Sequence, residues 1–452
     1  MIQKIRNLRT NKWVKFGIVA VCYILWVIWL SNYWWLLGLI VVFDLYITKK
    51  VKWAFWKKEY KKGEKRNAWL DWLDALIFAL IAATFLRMYF LEAYMIPTSS
   101  MERSLLTGDY LFVSKVAYGP RVPETPLTLP LVHNTAPVIN TNSYVEWIKW
   151  DYRRLAGFGQ VKRNDPVVFG FPHGDTVLTK SPQDDYYRLV RFNGKEYTEK
   201  MLGPIVVRPT DKKENYVKRC VAVSGDSLEI RGGRVFVNGQ PQEAFSGIQY
   251  TYTIRTNGTP INSLTLDKLD ISYNETFFDP ALPGYPNMPL TDKAVEQIKN
   301  LPNVVEVAQN NDIFPHDFPD SPIALFPFTS NNEWTRDNFG PLWVPKCGAT
   351  VALTLENLPL YHRIITAYEH NILEVREGQI YINNQPTDSY TFKMDYFFMM
   401  GDNRHNSLDS RYWGFVPENH VVGKPAFIWF STDKYKKFPK NIRWGRLLKG
   451  IS

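Results

Sequence analysis

The chain has 452 residues, is 45% hydrophobic and 15% aromatic, and carries a formal charge of +10. A chain this long exceeds what one small core needs, so a membrane part and a soluble part of one or two lobes are expected. The charge is concentrated: residues 1–66 hold fourteen Lys and Arg against Asp44, Glu59 and Glu64, a balance of +11, so residues 67–452 carry −1. A near-neutral remainder removes the main argument for a nucleic-acid partner.

Three apolar stretches come first, at 16–30, at 33–47 after a Ser31-Asn32 corner, and at about 69–91. A spanning helix needs roughly 20 apolar residues, so the first two are short and the third is adequate. Lys4, Arg6, Arg9, Lys12 and Lys15 precede the first stretch, and a dense basic run at 49–66 separates the second from the third. Basic loops stay in the cytoplasm, so both ends of the first pair face inward and the third stretch leads outward. No small-residue cleavage site follows Leu30, which predicts a retained anchor and not a removed leader. Residues 1–92 are therefore expected to form a multi-pass anchor of up to three helices, with everything beyond on the outer side.

Past the anchor, residues 110–119 open as a strand, and a proline-studded stretch follows, which predicts an irregular covering segment. The β-branched runs at 167–171 and 217–223 read as strands, and helices are expected near 291–300 and 358–368. Residues 227–241, SLEIRGGRVFVNGQP, align without a gap on 372–386, ILEVREGQIYINNQP. Each copy has the pattern of a β-hairpin. Between them, 242–345 is rich in Asn, Pro, Asp and Thr and reads as an inserted lobe or cap. The organisation expected is thus 93–241 and 346–452 as two parts of one mainly β outer domain, with 242–345 inserted. Cys220 and Cys347 lie in the outer part, and a disulfide between them is left open.

Four segments carry chemistry: PTSSM at 97–101, RNDPVVF at 163–169, YVKRCVAVSGD at 216–226 and GDNRHNSLDSRYWG at 401–414. Ser100 follows the third apolar stretch directly. Its ordinary reading is a helix start, since Ser99 and Glu102 have capping-box spacing. Its chemical reading is a hydroxyl nucleophile, which requires a base from elsewhere in the chain. Lys218 is the candidate. Strand alternation puts it on one face with Tyr216, Cys220 and Ala222, and burial there would disfavour its ammonium. Lowering its pKa by roughly 2 to 3 from a free value of about 10.4 costs about 3 to 4 kcal/mol, which partial burial can supply. Arg219 points to the other face. The 401–414 loop offers Ser407 to orient the amine, with Asp409 and Arg411 as a bracing ion pair. A histidine-based triad is disfavoured, because no GxSxG elbow occurs and only His405 lies in a motif.

The order of these motifs resembles the bacterial type I signal peptidases, over about residues 90–118, 161–241 and 370–424. The resemblance implies a membrane-bound serine endopeptidase with Ser100 as nucleophile and Lys218 as general base, acting on secretory preproteins without a cofactor. It further implies an oxyanion hole from the Thr98 hydroxyl and the Ser100 N–H, with Ser407 holding the lysine and Asp409 and Arg411 in support. Tyr94, Ile96, Pro97, Met101, Leu105, Tyr216 and Val217 would line shallow apolar pockets admitting only small side chains beside the cut. The partners implied are preproteins and membrane lipid, with no nucleic acid. The chain departs from the family at Arg103-Ser104, where Pro-Thr is usual, so a different turn is expected there; Thr98 stands where many members have serine. Two other classes are weighed: an inert membrane-tethered scaffold that binds signal sequences, and a self-cleaving Ser/Lys regulator, which would need a DNA-binding module.

Overall fold

The structure is a computed structural model and describes residues 11–31, 33–51, 68–136, 141–243, 245–269, 271, 276–278, 285–311, 325–329 and 333–451. Lys4, Arg6, Arg9, most of the 49–66 basic run and parts of 242–345 lie outside the described residues.

Among the described residues, two helices are long and apolar enough to cross a membrane by length and composition, Lys12–Leu30 and Ala68–Tyr89, and the apolar element Tyr33–Thr48 is shorter. The last helix ends at Tyr89, two residues before the end of its apolar run, because Leu91–Met95 pairs as a strand with Asp109–Ser114. The end of the first helix is tied to the covering segment: Trp29 Nε1 donates to Ala156 O at 2.9 Å and Arg153 Nη2 to Leu30 O at 2.8 Å. As its prolines require, that segment forms only isolated bridges, among them Arg121 with Arg154 and Thr128 with Tyr144.

The remainder is mainly β. Its centre is an eight-stranded antiparallel sheet in the order Leu91–Met95, Asp109–Ser114, Val421–Ser431, Pro166–Gly170, Asn215–Ala222, Tyr396–Met400 and Val416–Pro417, with Lys449–Gly450 on the long Val421–Ser431 strand. Pro425 is tolerated in that interior strand because the register slips beside it, between Phe112 and Val113 of the neighbour. Both faces of the sheet are covered. Val167, Phe169, Cys220, Met399 and Trp413 form one apolar cluster. Ile96, Met101, Leu105, Leu111, Val168 and Val422 form another. The Asn215–Ala222 strand lies between two neighbours and becomes fully buried from Lys218 onward, so any charged group on it loses water.

The repeat folds twice into the same three-stranded meander. Leu228 pairs with Val237 and Arg231 with Arg234, and 145 residues later Leu373 pairs with Ile382 and Arg376 with Gln379. Between the copies, Tyr250–Thr256, Phe277–Phe278, Pro286–Leu290 and Val304–Gln309 make a separate four-stranded sheet. Helix Asp292–Lys299, capped by Thr291, packs Ala294, Val295 and Ile298 with Tyr252, Ile254 and Leu290 of that sheet. The later strand Phe339–Trp343 instead pairs with Ser227–Arg231 and joins the largest core through Phe339 and Leu342. Cys220 is buried and Cys347 exposed, and both are free thiols.

Candidate active site

Ser100 sits five residues beyond the edge strand Leu91–Met95, in a series of turns. Glu102 N donates to Ser99 O at 2.9 Å and Leu105 N to Met101 O at 2.7 Å, and no helix begins there, so Ser99 and Glu102 do not act as a capping box. Arg103 has φ 74°, in the left-handed region. Proline, fixed near −65°, could not occupy that conformation, which accounts for the departure at this position.

The turn brings Ser100 onto the interior strand. Lys218 Nζ and Ser100 Oγ are hydrogen-bonded to each other although 118 residues separate them. Both are buried, at 4% and 9% exposure. Burial pulls the Lys218 pKa down from 10.5 to about 8, with Asp409 and Asp402 opposing and Arg411 assisting. A lysine near 8 has a substantial neutral fraction at ordinary pH, and its nitrogen is already in contact with the hydroxyl oxygen, to which it donates in this structure. The expected alternation holds on this strand, since Tyr216 and Cys220 pack in one cluster and Val217 against the other.

The loop 401–414 closes the site from the far side. Asp409 and Arg411 form a fully buried bidentate pair, Nε to Oδ1 at 2.9 Å and Nη2 to Oδ2 at 2.8 Å. Asp409 also accepts from Gly401 N at 3.1 Å, and Arg411 donates to Arg404 O at 2.5 Å, so the pair staples the two ends of the loop. Burial works against the Asp409 charge, yet Arg411 keeps its pKa below the ordinary carboxylate value. Gly401 is required by close approach: a Cβ there would stand 2.6 Å from Ser100 O and 2.2 Å from Ser407 Oγ.

Two expectations need correction. Ser407 is beside the site, but its buried hydroxyl makes no hydrogen bond, so it does not hold the lysine amine in this structure. Its packing against Gly401 sets its position instead. Leu105 does not line the groove. One helix-like turn after Met101 it points inward, fully buried with Leu111 and Val113.

Tyr94, Ile96, Pro97, Thr98, Met101, Tyr216 and Val217 do border one groove of ≈ 720 Å³, with Ser100 and Lys218 in its lining. Sequence reasoning missed the opposite wall. Phe171, Thr176, Val177, Pro182, Gln183 and Asp184 come from a segment with no recognisable motif. The stacking of Phe171 on Tyr216, ring centroids 4.6 Å apart, and its edge contact with Trp413 at 5.2 Å tie this wall to the sequence motifs. Sequence reasoning also missed a buried network beside Ser100. Arg219 forks onto Asp402, Nε to Oδ1 at 2.7 Å and Nη2 to Oδ2 at 2.8 Å, and donates to Asn164 O at 2.6 Å. Ser104 Oγ donates to Asp402 Oδ2 and accepts from Arg219 Nη2 at 3.1 Å. The signal was present in the Arg103-Ser104 departure: the second residue keeps a hydroxyl where threonine is usual, and this hydroxyl completes the ion pair.

A family profile described as signal peptidase, peptidase S26, matches residues 69–278 and 385–430, more than half of the chain. Signal peptidase I of Buchnera aphidicola (subspecies of Acyrthosiphon pisum) is 22% identical over 414 residues, covering 87% of this chain and 85% of that protein. Signal peptidase I of Helicobacter pylori is 24% identical over 395 residues, covering 84% and 91%. Signal peptidase I of Haemophilus influenzae reaches 46%, over 56 residues that make up 12% of this chain and 16% of that protein. With its motif order, its β sheet and this profile in agreement, the chain belongs to the signal peptidase family, peptidase S26, as a bacterial type I member.

Proposed function

We propose that this protein is a membrane-anchored serine endopeptidase that removes signal peptides from exported preproteins with Ser100 and Lys218. The observation that carries the reading is the buried Lys218 amine in contact with the Ser100 hydroxyl at a groove. Neutral Lys218 takes the Ser100 proton as Oγ attacks the scissile carbonyl carbon. The resulting oxyanion is held by the Ser100 N–H and the Thr98 hydroxyl, and Thr98 borders the groove. Collapse breaks the C–N bond, and the leaving amine takes the proton from Lys218. A water, deprotonated by Lys218, then attacks the acyl carbon, the C–Oγ bond breaks, and Lys218 returns the proton to Ser100 Oγ.

The substrate enters as an added strand. Leu91–Met95 ends the sheet order with one edge unpaired among the described residues, so an extended peptide can pair there and lie between 94–101 and Tyr216–Lys218. The shallow apolar lining fits the small side chains of A-x-A cleavage sites. Anchoring supplies proximity. Helix Ala68–Tyr89 runs almost directly into the edge strand, so a preprotein whose apolar core shares the bilayer presents its scissile bond near Ser100. This reading places the catalytic part, 93–241 and 346–452, outside a bacterial cytoplasmic membrane.

The test is cleavage of a purified preprotein in detergent by wild type, Ser100→Ala and Lys218→Ala. Wild type should release the mature chain and both variants should not. An inert wild type that still binds the preprotein would favour a scaffold, and processing by Ser100→Ala at the wild-type rate would end the proposal.

A further inference from the structure

The inserted segment reaches the catalytic loop at two places, and the consequence rests on the reading of Ser100 and Lys218 above. Gln249, just before the strand Tyr250–Thr256, bridges in parallel to Asn403. Gln249 N donates to Asp402 O at 2.8 Å, and Arg404 N donates to Gln249 O at 2.9 Å. Asn403, framed by those two bonds, grips the nucleophile: its N–H donates to Ser100 O at 3.1 Å and its Nδ2 to Ser99 O at 3.4 Å. A peptide unit is planar and trans, so fixing the Ser99 carbonyl fixes the opposite direction of the Ser100 N–H. That N–H is the backbone donor of the proposed oxyanion hole.

His405 is the second place. Thr251 N donates to its Nδ1 at 3.1 Å, so that nitrogen carries no proton, and Nε2–H donates to Asp337 Oδ1 at 2.9 Å. The side chains of His405 and Asp337 are 4% and 0% exposed. Tyr250 packs edge-on against the imidazole at 5.6 Å, and Arg336 Nη1 donates to His405 O at 3.1 Å. Both ring nitrogens and the backbone of the loop are therefore held from 249–251 and 336–337. A lobe serving only as cover would need no buried contact of this kind.

We propose that the inserted segment is a positioning element of the active site, acting through His405 and Asn403 to aim the Ser100 N–H at the oxyanion. Neither residue touches reacting atoms. The full chain in detergent is compared as wild type, His405→Ala, Asp337→Ala and Asp337→Asn, the last keeping an acceptor for Nε2–H. His405→Ala and Asp337→Ala should lower kcat roughly 10- to 100-fold with KM for a preprotein within about twofold, and Asp337→Asn should keep most of kcat. Inhibition by a peptide aldehyde, whose Ser100 adduct puts an oxyanion in the hole, should weaken by about the same factor as kcat. The matching peptide alcohol, which forms no adduct, should bind as before. Should His405→Ala fail to fold, His405→Gln and the two Asp337 variants carry the same comparison. Wild-type kcat in the alanine variants, or equal weakening of aldehyde and alcohol, would overturn the inference while leaving the dyad standing. An uncleaved preprotein with wild type, or cleavage by Ser100→Ala, would overturn both.

Discussion

Replacing Lys218 with methionine separates the chemical role of the amine from the cost of burying it. Burial brings its pKa from 10.5 to about 8. That difference corresponds to about 3 kcal/mol by which the folded protein disfavours the ammonium. The unfolded chain therefore binds more protons than the folded one between about 8 and 10.5, so this group makes stability rise with pH across that window, and below about 8 the full penalty is present. Lys218→Met keeps the apolar stem and removes the charge. At pH 6 it should stabilise the protein by about 2 kcal/mol, after allowing about 1 for the lost contact with Ser100. The advantage should shrink toward pH 10. Denaturant melts of wild type and variant at pH 6, 8 and 10 measure this, with cleavage abolished throughout in the variant. In wild type, kcat/KM should climb about tenfold from pH 6 to 7, about fivefold from 7 to 8, and then flatten. A profile flat from pH 6 to 9, an inflection near that of free histidine, or a variant less stable than wild type at pH 6 would refute the reasoning.

Ser104→Ala leaves Asp402 and Arg219 buried with one partner fewer and should cost about 1 to 3 kcal/mol in a denaturant melt, whereas Ser104→Thr should restore most of it. Gly401→Ala forces a methyl against Ser100 O and Ser407, so kcat should fall by about 100-fold, measured on a preprotein, because Ser100 must move. Leu105→Ala should lower stability by about 2 to 5 kcal/mol with KM little changed, the outcome expected of a core residue and not of a groove residue. A thiol reagent should label exposed Cys347 in the native protein and buried Cys220 only on unfolding, and a reductant should leave the melting temperature unchanged.

The parts of the site legible in the sequence are those whose chemistry is local in the chain. Lys218 could be assigned because alternation on a strand sets its neighbours, and the 145-residue repeat because pairing within a hairpin depends only on the residues in it. Asp409 and Arg411 are two apart, so their pairing follows from position. The Phe171–Asp184 wall carried no such signal. It is a partly buried path, with Phe171 and Val177 buried and 182–184 exposed, made relevant only by where the Asn215–Ala222 strand happens to run. Ser407 failed differently: a hydroxyl near a lysine was legible, but its place depends on packing where Gly401 comes close to both Ser407 and Ser100, an approach of segments three hundred residues apart in the chain.

The insertion shows the same limit from the other side. Its composition suggested cover, because Asn, Pro, Asp and Thr carry no periodic chemistry, and the sheet it forms has an apolar cluster of its own. Yet the bonds that matter to Ser100 run through backbone groups of Gln249 and Thr251, which any residue but proline could supply. Main-chain donors leave no trace in side-chain identity. His405 is the exception, since its two nitrogens demand a donor and an acceptor, and it is the one histidine inside a motif. A histidine that is buried, with both ring nitrogens already bonded to Thr251 N and Asp337 Oδ1, is better suited to fixing a loop than to moving protons. On that argument the proposed role of base stays with Lys218, and the part proposed for the inserted segment is one of geometry, without a reacting group.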